Sequence, residues 1–84
     1  MHSARFDRPV VLTHHARKRM QERHITEAEI SEIIETGTIR EKDPRHVWIY
    51  REFAARQDNL LCIAALLDDV VIIKTIMTHW EVSL

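Results

Sequence analysis

His15, Arg19 and Arg23 recur at intervals of four, so a helix would carry all three on one strip. They belong to the stretch Thr13-His14-His15-Ala16-Arg17-Lys18-Arg19-Met20-Gln21-Glu22-Arg23-His24, which holds three of the six histidines and four of the twelve basic residues. Cleaving RNA without a metal needs a group that can move the 2′-hydroxyl proton near neutral pH. It also needs cations that hold the phosphate as charge builds. Histidine and arginine suit those two tasks. On this reading His15 is the catalytic acid or base and Arg19 the catalytic phosphate clamp, with Arg17, Lys18 and Arg23 binding the RNA backbone. Residue types alone favour a plainer reading: His15 caps or packs at the helix start, and Arg19 and Arg23 pair with acids of the next helix.

The remaining reactive residues also have two readings each. Trp48 and Tyr50 fall on one side of an alternating segment, where they either pack or stack on bases. Lys74 interrupts an apolar run, so it either snorkels to the sheet edge or, with Thr75, marks an opening onto a phosphate-binding cleft. His14, His24, His46 and His79 have no Cys or carboxylate partner at a metal-site spacing, and no metal or other cofactor is expected. Cys62 is expected as a buried apolar side chain, and Trp80 as a seal on the end of the sheet.

Composition narrows the class. At 84 residues, 45% hydrophobic and 30% charged, the chain is one small globular domain, read as an N-terminal tail over 1–9 and a domain over 10–84. No apolar run reaches the roughly 18–20 residues of a membrane span. The start lacks a secretory apolar core and the single cysteine fits a reducing compartment, so the cytoplasm is expected. The net charge of −1 hides an asymmetry. Residues 1–24 hold six Lys/Arg against Asp7 and Glu22, for +4, whereas residues 25–84 hold six against eleven acids, for −5. A binder relying on charge alone would be basic throughout.

The elements that must position these residues follow from caps and periods. Thr13 is an N-cap for a first helix running to about Arg23, whose apolar stripe is only Ala16 and Met20 with help from Leu12. Thr26-Glu27-Ala28-Glu29 is a capping box opening a second helix with Ile30, Ile33 and Ile34 inward and Ala28 flanking them. Gly37 is read as a left-handed stop. Beyond it the period becomes two: strands over Thr38–Lys42, His46–Ala54, Leu60–Leu67 and Val70–His79, with turns at Asp43-Pro44-Arg45, Arg56-Gln57-Asp58-Asn59 and Asp68-Asp69. A two-residue turn at Asp68-Asp69 pairs Leu67 with Val70 and sets Cys62 opposite Thr75. The order implies an α+β fold, with two N-terminal helices packed on one face of a four-stranded antiparallel sheet. The last two strands are apolar on both sides. Curvature, a terminal segment or another chain must close the second face.

His15-Ala16-Arg17-Lys18-Arg19-Met20-Gln21-Glu22-Arg23-His24-Ile25-Thr26 resembles the opening motif of the DUF4258 family of small bacterial domains, in which His-Ala is followed by Arg-Met and Glu-Arg-Gly-Ile. Val71-Ile72-Ile73-Lys74-Thr75-Ile76-Met77 resembles its final strand. The resemblance covers about residues 10–80. It implies a fold like that of RelE-like toxins and barnase-like ribonucleases, and a toxin-type, metal-independent ribonuclease role with RNA and an antitoxin-like protein as partners. The chain departs from the pattern where His24 stands for the glycine, where Met77 stands for a common aromatic, and in its lack of overall basicity. Two further expectations come from other classes: RNA binding without cleavage, and a non-enzymatic interaction module forming a homodimer or binding a partner through its apolar sheet face. In every case the site would lie in a cleft between the first helix and the sheet.

Overall fold

The computed structural model describes residues 1–82; the last two positions of the 10–84 stretch lie outside the described residues. In chain order it contains β1 (His2–Ser3), β2 (Arg8–Leu12), α1 (His14–Glu22), α2 (Glu27–Thr36), β3 (Thr38–Glu41), β4 (His46–Arg51), β5 (Leu61–Leu67) and β6 (Val71–Met77). The strands form one sheet of order β1-β2-β6-β5-β4-β3.

This corrects the expected four-stranded antiparallel sheet. The meander β3–β6 is present and antiparallel, but the N-terminal segment adds two strands, and β2 runs parallel to β6, giving a six-stranded mixed sheet that curls into a half-barrel. The physical reason lies in Val10-Val11-Leu12. Without it β6 would be a bare apolar edge; instead Val10, Val11 and Leu12 pair with Val71, Ile72 and Ile73. The chain reverses through Asp7, which is left-handed at φ 52°, and lays β1 antiparallel on β2.

The first residues also tie down α2. Glu35 accepts from the backbone N–H of Ala4 at 2.7 Å and of Arg5 at 2.9 Å, and from the hydroxyl of the buried Ser3. The Arg5 guanidinium donates to the carbonyls of Ile34 and Gly37 at the C-terminal end of α2, where a cation suits the helix dipole. The helix supplies no basic residue of its own in that turn.

Both helices start as the caps require. Thr13 Oγ1 accepts from the amide of Ala16, and Thr26 and Glu29 form the reciprocal capping box. The α1–α2 bend places His24 at φ 52°, so the left-handed position where the resemblance implied a glycine is held here by a histidine. Gly37 corrects another expectation. Its φ is −70°, not left-handed, and it ends α2 in extended backbone. Glycine is needed there for space: an added Cβ would lie 2.5 Å from the Ile33 carbonyl, 2.8 Å from Ile49 Cγ2 and 2.9 Å from the Tyr50 carbonyl.

One core forms between the helices and the sheet. Ala16, Ile25, Ile30, Ile33 and Ile34 pack with Val10, Val47, Ile49, Leu61, Ile63, Ala65, Val71, Ile73 and Ile76, while Ala28 is exposed. Ile73 and Ile76 are three apart yet both fully buried, which a regular strand forbids. The chain solves this with a bulge. Leu67 pairs with Val71 and Ala65 with Ile73, but Ala64 pairs with Thr75 and Cys62 with Met77. Two shifts displace the expected register. Leu67 pairs with Val71 and not with Val70, so the loop is one residue longer than the two-residue turn; Lys74 is the extra residue of the bulge, so Cys62 faces Met77 and not Thr75. The opposite face carries His46, Trp48 and Tyr50 of β4, Cys62, Ala64 and Leu66 of β5, and Ile72, Thr75 and Met77 of β6. Trp80 folds back over part of it, its ring centroid 5.0 Å from that of Tyr50 and 6.4 Å from that of Trp48.

Candidate functional site

The bulge and the first helix meet. The amide of Thr13 donates to the Ile73 carbonyl and its hydroxyl donates to the Lys74 carbonyl, while the same oxygen caps α1. One threonine therefore joins the start of the helix to the irregular point of β6, and places His15 beside Lys74 and Thr75. Around this junction a cleft of about 360 Å³ opens, lined by His15, Lys42, His46, Val47, Trp48, Ala64, Ala65, Lys74 and Thr75. Its lining combines small apolar side chains with two lysines, two histidines and an indole. No carboxylate lines it among the described residues.

Of the residues expected to form the catalytic and phosphate-binding site, His15, Lys74 and Thr75 share this cleft. Arg17 and Lys18 lie exposed on α1 outside its lining. Arg19 is occupied within its own helix, 3.2 Å from Glu22, rather than by an acid of α2. Arg23 donates to the Ile76 carbonyl at 3.1 Å and so pins the end of α1 to β6. The strip of His15, Arg19 and Arg23 is thus divided between a cleft, a local ion pair and a structural contact.

Besides the apolar Val47, Ala64 and Ala65, three cleft residues lie outside the site expected from sequence: Lys42, His46 and Trp48. Trp48 carried a signal in its alternation with Tyr50. For His46 the signal is the turn Asp43-Pro44-Arg45-His46. Asp43 Oδ1 accepts from the amides of Arg45 and His46, each at 2.9 Å, and the carboxylate lies 2.9 Å from His46 Nδ1. The hydrogen bond from His46, reinforced by those amides, holds the Asp43 carboxyl down at about 2.

Arg56 is the other densely bonded cation. It meets Asp58 at 2.8 Å and Glu29 at 3.1 Å, and donates to the carbonyls of Arg23 and His24, which clamps the α1–α2 bend. Its bond to Asp58 and then to Glu29 raises its pKa further, so it stays charged throughout. The open hollow lined by Arg56, Gln57, Asp58 and His79 therefore surrounds a cation whose charge is already matched. Cys62 is fully buried, and desolvation pushes its thiol up to about 12, which makes it inert. No helix of the described residues is long and apolar enough to cross a membrane.

No curated protein and no solved structure matches the chain. The family model described as a domain of unknown function, DUF4258, matches residues 12–78, from the strand that enters α1 to the end of β6. That span contains every residue lining the cleft, and the chain belongs to the DUF4258 family.

Proposed function

We propose that the protein is a toxin-like RNA-interacting domain whose cleft takes a single strand. The observation that carries this reading is the convergence of Lys42, Lys74, His15 and His46 around Trp48 and Thr75 with no acid among the lining residues. Lysines attract a phosphate, the half-buried Trp48 indole offers a ring against which an unpaired base packs, and the histidines and threonine supply hydrogen bonds. The exposed Arg17 and Lys18 extend the basic character along α1. A local positive cleft on a chain of net charge −1 favours a short contact over long tracking of a backbone. The toxin-type ribonuclease expectation is retained as chemistry at this cleft, with His15 as an acid or base group, and not as a shared sheet topology. The test is fluorescence anisotropy of a labelled mixed-sequence RNA 10-mer against the same sequence as a duplex. Binding of the single strand that weakens in Lys42→Ala and Lys74→Ala supports the reading; absence of binding at low salt refutes it.

A second reading has its own observation. Val11 is 46% exposed beside the half-buried Ile72, and Leu66 continues the patch on the neighbouring strand. An apolar strip at that place suits pairing of two copies across the uncovered part of the sheet face. Sedimentation velocity of wild type and Val11→Lys tests it: a dimer lost in the variant supports the reading, and a monomer at high concentration refutes it.

A further inference from the structure

We propose that Asp43 and His46 form a carboxylate–imidazole dyad in which His46 is the general base of an RNA transesterification at the cleft, an inference that rests on the RNA reading above. The argument begins in the turn. Asp43 is fixed by two backbone amides, so its carboxylate cannot swing away from His46, and it is an acceptor only. An imidazole nitrogen 2.9 Å from such a carboxylate must be the protonated one. The tautomer is thereby set: Nδ1 carries the proton and Nε2 is left as the basic nitrogen of a ring that lines the cleft.

Turn capping by Asp43 requires only its bonds to the two amides. The additional contact to the ring is what a proton-transfer group needs, because it orients the imidazole and stabilises the cation formed when Nε2 accepts a proton. The cleft supplies the other parts. Lys42 and Lys74 line it as cations for a phosphate, Trp48 lines it as a ring for an adjoining base, and His15 lines it from α1.

The step balances as follows. His46 Nε2 removes the 2′-hydroxyl proton as the 2′-oxygen bonds to phosphorus; the bond from phosphorus to the 5′-oxygen breaks; and the His15 imidazolium gives its proton to that oxygen. The products are a 2′,3′-cyclic phosphate and a 5′-hydroxyl, and the two histidines exchange protonation states until solvent resets them. No oxidant, cofactor or metal enters the step. Asp43 is a positioning residue in this scheme, and His46 and His15 touch the reacting atoms.

The experiment uses the full chain with a labelled mixed-sequence RNA 10-mer, and the same oligonucleotide made of DNA as a control that lacks the 2′-hydroxyl. The expected result is cleavage of RNA alone to cyclic-phosphate ends. His46→Ala should lower the cleavage rate at saturating RNA by about 10²–10⁴-fold, a loss that weaker binding does not account for, and added imidazole should restore part of it. Asp43→Asn should lower kcat about tenfold with KM unchanged, whereas a residue serving only the turn would lower thermal stability and leave kcat intact. His46→Gln, which keeps a polar side chain of similar length, separates loss of the base from loss of local structure. If RNA is bound but not cut, or is cut equally by His46→Ala, the dyad is overturned and RNA binding stands. If RNA is not bound at all, both fall.

Discussion

Replacing Gly37 by alanine sets two physical effects against each other, and the structure decides which wins. The backbone there, φ −70° and ψ 166°, is open to any L-residue. Conformational reasoning alone therefore gives Gly37→Ala a stabilisation of about 0.4–1 kcal/mol, through a less disordered unfolded chain. The space argues the reverse. The new methyl would lie 2.5 Å from the Ile33 carbonyl, 2.8 Å from Ile49 Cγ2 and 2.9 Å from the Tyr50 carbonyl. Two of those atoms are backbone, and Ile33 and Ile49 are fully buried, so no flexible end can turn aside. Relieving the overlap means moving the end of α2 away from β4, at about 1–3 kcal/mol for overpacking. It also weakens the 2.8 Å bond from the Gly37 amide to Ile33 and the Arg5 contact to the Gly37 carbonyl, about 0.5–1.5 kcal/mol each. The net expectation is a loss of about 2–4 kcal/mol. At about 4–8 °C per kcal/mol for a chain of this size, the thermal midpoint should fall by roughly 8–32 °C. Thermal unfolding followed by circular dichroism measures it, and an unchanged or raised midpoint would refute the reasoning.

Four further outcomes follow from the same geometry. Arg56→Met leaves Glu29 and Asp58 without their cation and should cost about 2–3 kcal/mol in urea unfolding. Acid stability tests the same network. Burial pushes Glu29 and Glu35 up, but the Thr26 amide and Arg56 hold Glu29, and the Arg5 and Ala4 amides hold Glu35, below the usual carboxylate range; Arg56 does the same for Asp58. Groups depressed in the folded state contribute stability that is full above about pH 5 and is lost as pH falls below about 4, and Arg56→Met should show a shallower loss in an acid titration of unfolding free energy. Trp48→Ala should weaken single-strand binding by about 1–3 kcal/mol in anisotropy titrations, with Tyr50→Phe near wild type. Thr13→Val removes both the helix cap and the bond to the Lys74 carbonyl, and should lower stability by about 1–2 kcal/mol while loosening the His15 side of the cleft.

Local signals in the sequence located most elements. Thr13, the Thr26–Glu29 box and the change to alternation after Gly37 place α1, α2 and β3–β6 to within a few residues, because caps and periods are short-range physics. The partner of Val10-Val11-Leu12 was not legible. Its pairing with Val71–Ile73 spans about sixty residues, and no turn between the two segments announces a parallel neighbour. The bulge left one visible trace, a lysine in an apolar run with Ile73 and Ile76 three apart, but a trace of irregularity does not say which residue is displaced. Gly37 was misassigned because glycine is more often needed for its φ than for its lack of a side chain. The cleft was half legible. His15, Lys74 and Thr75 stood out by type, whereas Lys42 and His46 enter it only because β4 is brought beside β6 through β5.

The central claim is that the cleft between α1 and the bulged strand holds the phosphate of a single-stranded RNA. The most direct measurement is the salt dependence of RNA affinity in wild type and in the double variant Lys42→Ala/Lys74→Ala. Removing two phosphate contacts should make the slope of log affinity against log salt shallower by about 1.4, and weaken binding most at low salt. A double variant with unchanged slope and affinity would contradict the claim.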